Sequence, residues 1–286
     1  MKLYNTTAGI LLQDDNSYYR LQESWDELIN REGLHPYLAG KKKEAAELSA
    51  EEAETRYLKT LLPPIGSQEV WAAGVTYMRS RDARMEESKE TGGAGFYDKV
   101  YEAERPELFF KALPHRVSGP EQPVYIRQDS SWNVPEPELT LFINAAGSIQ
   151  GYTVGNDMSS RSIEGENPLY LPQAKVYERS AALGPCLFVP GEPISPDTCI
   201  TMTILRKEEV CYKDSVTLSR MKRTLPELAG WLYKASGFPA GSFLMTGTCL
   251  VPEDSFTLQP GDRVEITIDD IGTLVNRVEM YPAQQP

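Results

Sequence analysis

The sequence predicts an α+β, mainly β protein, in which a domain of packed sheets follows a small amino-terminal α+β unit. Short apolar runs recur along the chain, among them LFFKAL, PVYIR, LTLFI, GYTVGND, CLFVP, ITMTILR, SFLMTG and RVEITI. Gly, Pro and Asp turn signals separate them, and the long helices that a doubly wound fold needs between its strands are missing. A change of pattern near residue 65 sets the first unit apart.

Met1 to Tyr4 reads as a strand, Gly9 to Gln13 as its hairpin partner, and amphipathic helix follows. In SAEEAETRYLKTLLPP, Ser49 stands three residues ahead of Glu52. This is capping-box spacing, in which each side chain bonds the other's backbone N–H, and Pro63 and Pro64 stop the helix. Buried-strand character begins with Val70 to Val75, which places a domain boundary after residue 65 and gives units 1–65 and 66–286. From Tyr77 to about Val100 the chain is charged and interrupted by Gly92, Gly93 and Gly95. Between two apolar strands, such a stretch is either a surface excursion or a lid over a site. One helix is predicted over Arg223 to Ser236, and the tail ending AQQP is expected to fray.

Composition narrows the function. The chain has 29 Lys+Arg against 41 Asp+Glu, a formal net charge of −12, and no basic stripe for nucleic acid. Four cysteines (Cys186, Cys199, Cys211, Cys249) form no CxxC pair, so neither a zinc site nor a redox motif is signalled. The apolar run Ala8 to Leu12 is too short for a signal-peptide core, and no stretch approaches the ~20 apolar residues of a membrane helix. A cytoplasmic protein with reduced thiols is expected. Most of the acidic excess reads as solvated surface, and only spacing can single out carboxylates that hold a cation.

VPEPELTLFIN holds Glu136 and Glu138 two apart at a strand start, so both carboxylates point to one face. Two such charges are costly unless a cation lies beside them, although a solvent-exposed strand entrance would also carry them. Asp157 closes GYTVGND, where a strand end can bring a third carboxylate to the pair or simply make a turn. Three carboxylates leave room for water or substrate oxygens in the near-octahedral shell of Mg²⁺. Lys175 in YLPQAKVYERS is a lone Lys whose plain reading is a surface residue.

The run VPEPELTLF, followed by GYTVGNDMSSRSIEGENPLYLPQAKVYERSAALGP, TGTCLVP and PGDRVEITIDDIGTL, resembles the fumarylacetoacetate hydrolase family over roughly residues 65 to 280. The resemblance implies that family's mixed β-sandwich roll. It also implies one Mg²⁺ (Ca²⁺ or Mn²⁺ as substitutes) on Glu136, Glu138 and Asp157, with Lys175 contacting a 2-oxo acid substrate. Thr248, with the backbone of Gly247, resembles the family's contact to the substrate carboxylate. EVWAAGVTY, FYDKVYEAERPELFFKALPHR and EGENPLYLPQAKVY are more similar to the branch that removes water from sugar-derived 2-keto-3-deoxy acids to give a 2-oxoglutarate semialdehyde. In that branch the position of Glu107 lies near the metal, which implies a part in proton traffic; a structural pairing with Arg105 or Lys111 is the alternative. The resemblance further implies a homodimer or homotetramer.

An absence points the same way. Members that hydrolyse carbon–carbon bonds resemble one another in carrying a His and, three residues later, a Glu, where this chain has Ser80 and Ala83. Its two histidines are His35 and His115, each elsewhere. Relatives usually carry Asp in an SxRD segment, whereas Ser162 follows Arg161 here, a change expected to touch the surroundings of the metal rather than its ligands. Hydrolysis, decarboxylation or isomerisation of another 2-oxo acid, and a catalytically silent acid-binding protein, remain as alternatives.

Overall fold

The computed structural model describes residues 1–78 and 99–282. The stretch expected to be an excursion or lid lies mostly outside the described residues, as do Ser80, Ala83 and the AQQP tail.

Strands run in chain order as β1 (Lys2–Thr6), β2 (Gly9–Asp14), β3 (Ser17–Leu21), β4 (Ala46–Leu48), β5 (Glu69–Gly74), β6 (Glu107–Ala112), β7 (Val117–Ser118), β8 (Pro123–Ile126) and β9 (Asn133–Val134). They continue as β10 (Pro137–Ile143), β11 (Ile149–Asp157), β12 (Ser159–Ser160), β13 (Ala181–Phe188), β14 (Cys199–Arg206), β15 (Glu209–Thr217), β16 (Ser242–Met245), β17 (Arg263–Ile268) and β18 (Gly272–Met280). Among the described residues they form a large sheet, β4-β3-β2-β1-β13-β11-β10-β16-β5-β6 with β7 beside β13, a second sheet, β15-β14-β17-β18-β8, and the two-stranded pair β12-β9. The mainly β, mixed-sheet expectation holds.

Every residue of β10 is buried because the large sheet is covered on both faces. Leu139, Leu141 and Val154 meet Met202, Ile266 and Leu274 of the second sheet, whereas Phe142, Phe243 and Met245 face the other way, toward Leu28, Leu34 and Leu38 of the amino-terminal helices. Two-sided burial makes LTLFI read as a continuous apolar run. In β17, by contrast, Val264, Ile266 and Ile268 are buried and alternate with more exposed residues, as a sheet wet on one face requires.

Sheet pairing crosses the proposed boundary at residue 65. Lys2 and Leu3 pair with Phe188 and Leu187, so the amino-terminal hairpin extends the large sheet and shares its core. The stretch after β2, read as helix, first makes β3 and then two short helices, Trp25–Ile29 and Leu34–Lys41. Ser49 caps its helix as expected by accepting from Glu52 N at 3.1 Å, whereas the Glu52 carboxylate takes Arg56 at 3.4 Å. The helix expected over Arg223 to Ser236 spans Leu225–Tyr233 and opens with a full Thr224/Glu227 capping box.

Candidate active site

Five strand ends converge at one edge of the large sheet. β10 begins there and antiparallel β11 ends there, so Glu136 and Asp157 exchange backbone hydrogen bonds of 3.2 and 2.9 Å. β16 runs antiparallel to β10 and parallel to β5, which brings their carboxy-terminal ends to the same edge; the start of β6 joins them through the pairing of Gly74 with Glu107. Past β5, Val75 adopts φ +54°, a left-handed conformation that is strained for a β-branched residue and is of the kind concentrated at functional sites.

Glu136, Glu138 and Asp157 are 3%, 2% and 1% exposed, and one oxygen of each lies within 4.8 Å of the others. They line a tight cavity of about 10 Å³ with Gly74, Phe109, Arg161, Lys175 and Thr248. Three cations answer the three carboxylates. Lys175 Nζ donates to Glu136 Oε2 at 2.6 Å, Asp157 Oδ2 at 2.9 Å and Ser159 Oγ at 2.6 Å. Arg161 Nη2 donates to Glu136 Oε1 at 2.6 Å. Lys111 Nζ lies 2.5 Å from Asp157 Oδ1 and donates to the carbonyls of Met158 and Lys175 at 3.0 and 2.5 Å. Burial depresses the Lys111 ammonium pKa, and the neighbouring Asp157 opposes that effect. Burial, then the charges of Asp157 and Glu136, push the Glu138 carboxyl well above the usual range.

Lys175 is thus buried at the end of the helix Leu171–Lys175, not a surface residue. The Gly247 amide donates to Glu138 Oε2 at 2.6 Å and thereby orients a carboxylate. Gly247 holds φ +93°, and a Cβ there would come within 2.0 Å of Thr76 Oγ1, so only glycine fits the turn. Thr248 lines the cavity; its hydroxyl accepts from Leu250 N at 3.2 Å and keeps its own proton to donate. Glu107 is half-buried and is not one of the residues lining the cavity; it pairs with Gly74, which is, while Lys111 is directed to Asp157 and Arg105 lies over the Trp231 ring, 4.6 Å from its centre. Neither histidine lines the cavity. Ser162 Oγ lies 3.0 Å from Ser130 Oγ and accepts from Ser131 N, a neutral network in place of the family's Asp.

Sequence reasoning missed Lys111 and Arg161 as cations of the site. Strand parity was the available signal for Lys111, because Glu107, Phe109 and Lys111 alternate onto one face of β6. The donor set suits a hard divalent cation: three buried carboxylates, and no thiol or imidazole along the cavity.

Comparison with known proteins agrees with this geometry. A family model described as fumarylacetoacetate (FAA) hydrolase C-terminal matches residues 75–279. The chain is 50% identical over 216 residues to a probable 2-keto-3-deoxyxylonate dehydratase of Haloferax volcanii, covering 75% of this chain and 73% of the relative. It is 41% identical over 218 residues to the 2-dehydro-3-deoxy-D-arabinonate dehydratase of Saccharolobus solfataricus, covering 76% and 73%. A solved structure of 2-keto-3-deoxy-D-arabinonate dehydratase complexed with magnesium and 2,5-dioxopentanoate superposes with a TM-score of 0.83 at 32% identity, covering 99% of this chain and all of that one. With more than two thirds of its length matched and its buried carboxylates gathered at the strand ends, the chain belongs to the fumarylacetoacetate hydrolase family.

Proposed function

We propose that the protein is a Mg²⁺-dependent dehydratase of a 2-keto-3-deoxy sugar acid, of the arabinonate or xylonate kind, yielding 2,5-dioxopentanoate, the 2-oxoglutarate semialdehyde. The observation that carries this is the convergence of Glu136, Glu138, Asp157 and Lys175 in one buried cavity, in a chain similar to dehydratases over three quarters of its length.

Glu136, Glu138 and Asp157 hold the cation in this reading. Mg²⁺, when bound, supplies Lewis-acid polarisation of the 2-keto group, which acidifies the protons on C3. Thr248 offers a hydroxyl proton to the substrate carboxylate from the cavity wall. Glu107, across from the cavity-lining Gly74, is the candidate to take the C3 proton or return one to the departing C4 hydroxyl, directly or through water. Lys175 places its positive charge where negative charge develops on the substrate. Loss of the C3 proton and the C4 hydroxyl removes one water, and proton shifts from C5 then give the semialdehyde. The Gly247 amide and Arg161 keep the carboxylates in place. The protein is further proposed to act in the cytoplasm in sugar-acid breakdown, as a homodimer or homotetramer whose number light scattering will give.

The test is a panel of 2-keto-3-deoxy sugar acids differing only at C4 and C5, assayed with Mg²⁺ and after chelation. Turnover of at least one pentonate that stops on chelation is expected. Indifference to every panel member, with turnover of an acylpyruvate or of oxaloacetate instead, would move the assignment to a hydrolase or decarboxylase.

A further inference from the structure

The two buried lysines are held differently. Lys111 Nζ reaches two main-chain carbonyls, those of Met158 and Lys175, in addition to Asp157 Oδ1. Carbonyls belong to the fold and do not leave, so this ammonium is fixed by β12's approach on one side and by the last turn of the helix Leu171–Lys175 on the other. The acceptors of Lys175 are all side-chain oxygens: Glu136 Oε2, Asp157 Oδ2 and Ser159 Oγ. Two of these belong to the carboxylates that gather for a cation. An ammonium and a divalent cation repel each other and want the same lone pairs, so they cannot both have them.

We propose that Lys111 is a positioning residue, a permanent counter-cation that fixes Asp157 and the Lys175 helix end. Lys175, by contrast, is an exchangeable cation whose contacts with Glu136 and Asp157 give way to the metal. The inference deepens the proposed function and rests on its metal site. It assigns opposite signs to two substitutions that each delete one positive charge. If charge alone mattered, both would tighten metal binding. Freeing Asp157 from Lys111 instead leaves a ligand unanchored, so Lys111→Met weakens binding despite the lost repulsion, whereas Lys175→Met removes a competitor.

The test is calorimetric titration of the full-length, metal-stripped protein with MgCl₂, with circular dichroism reporting that each variant is folded at the titration temperature. Lys111→Met is expected to weaken Mg²⁺ binding at least tenfold, and Lys175→Met to bind at least as tightly as wild type while losing turnover. Lys111→Gln, which keeps a donor for a carbonyl but no charge, stands in if Lys111→Met fails to fold, with the same expected weakening. Weaker binding in Lys175→Met, or wild-type affinity in the Lys111 variant, overturns the inference. A wild-type protein that binds no Mg²⁺ overturns the metal reading itself, and the inference with it.

Discussion

Gly74→Ala separates catalysis from stability where the cavity wall meets Glu107. Gly74 pairs with Glu107 across β5 and β6, and a Cβ on it would lie 1.9 Å from Glu107 Oε2. Ordinary contact begins near 3.4 Å, so the carboxylate must retreat by the difference, about 1.5 Å. The atom in the way is the tip of a flexible side chain, and Gly74 is not in the left-handed region, so the fold tolerates the methyl. Replacing Gly by Ala at a compatible position stabilises by about 0.4–1 kcal/mol through the unfolded chain. A misplacement of ~1 Å costs on the order of 10²-fold in rate when the displaced group takes part in the chemistry. The expected result is an unchanged or slightly raised Tm with kcat down by about 10²-fold. Thermal denaturation and steady-state kinetics on the same preparation measure both. A variant with full kcat would refute the placement of Glu107 in the proton path; one with low kcat and a Tm lowered by many degrees would show the methyl distorting the strands instead.

Further outcomes follow from the same geometry. Glu138→Gln should abolish Mg²⁺ binding yet raise the Tm of the metal-free protein, because it removes a carboxyl whose ionised form burial and then Asp157 and Glu136 oppose. Glu136→Gln should also lose the metal but lower stability by roughly 3–5 kcal/mol, since Arg161 and Lys175 are left with one buried anion fewer; equal Tm shifts of one sign in the two variants would refute this contrast. The Glu138 carboxyl titrates higher folded than unfolded, so its own contribution to metal-free stability is greatest below the unfolded value and is lost as pH rises from there through the folded one. Mg²⁺ must displace that proton, so its affinity climbs through the same window by up to about tenfold per pH unit, and a calorimetric affinity flat across it would count against the coupling. Burial pushes the Cys186 thiol up to about 12, so a thiol reagent should label exposed Cys211 in the folded protein and reach Cys186 only after denaturation.

Strands with a buried face were legible, and those without one were not. LTLFI and SFLMTG announce β10 and β16 because both faces of the large sheet are covered. β15 escaped because, among the described residues, it pairs only with β14 and is largely exposed, leaving no buried face to read. The carboxylates were legible from the Glu136–Glu138 spacing and from a strand-ending Asp157, since strand parity is a property of sequence. What balances them was not. Arg161 carries no periodic mark, Lys111 carries only the parity of β6, and the Gly247 amide that holds Glu138 is a backbone atom with no side-chain signature. Lys175 looked like a surface residue because solvation is the common fate of Lys; only the fold reveals that its helix end is inserted among the acids.

The most direct single measurement is mass-resolved product analysis of the purified protein with Mg²⁺ and a 2-keto-3-deoxypentonate. The predicted result is loss of one water, accumulation of 2,5-dioxopentanoate, and no conversion in Glu138→Gln. Unchanged substrate with the metal bound, or cleavage to smaller acids, would contradict the assignment of this buried carboxylate and lysine site to dehydration.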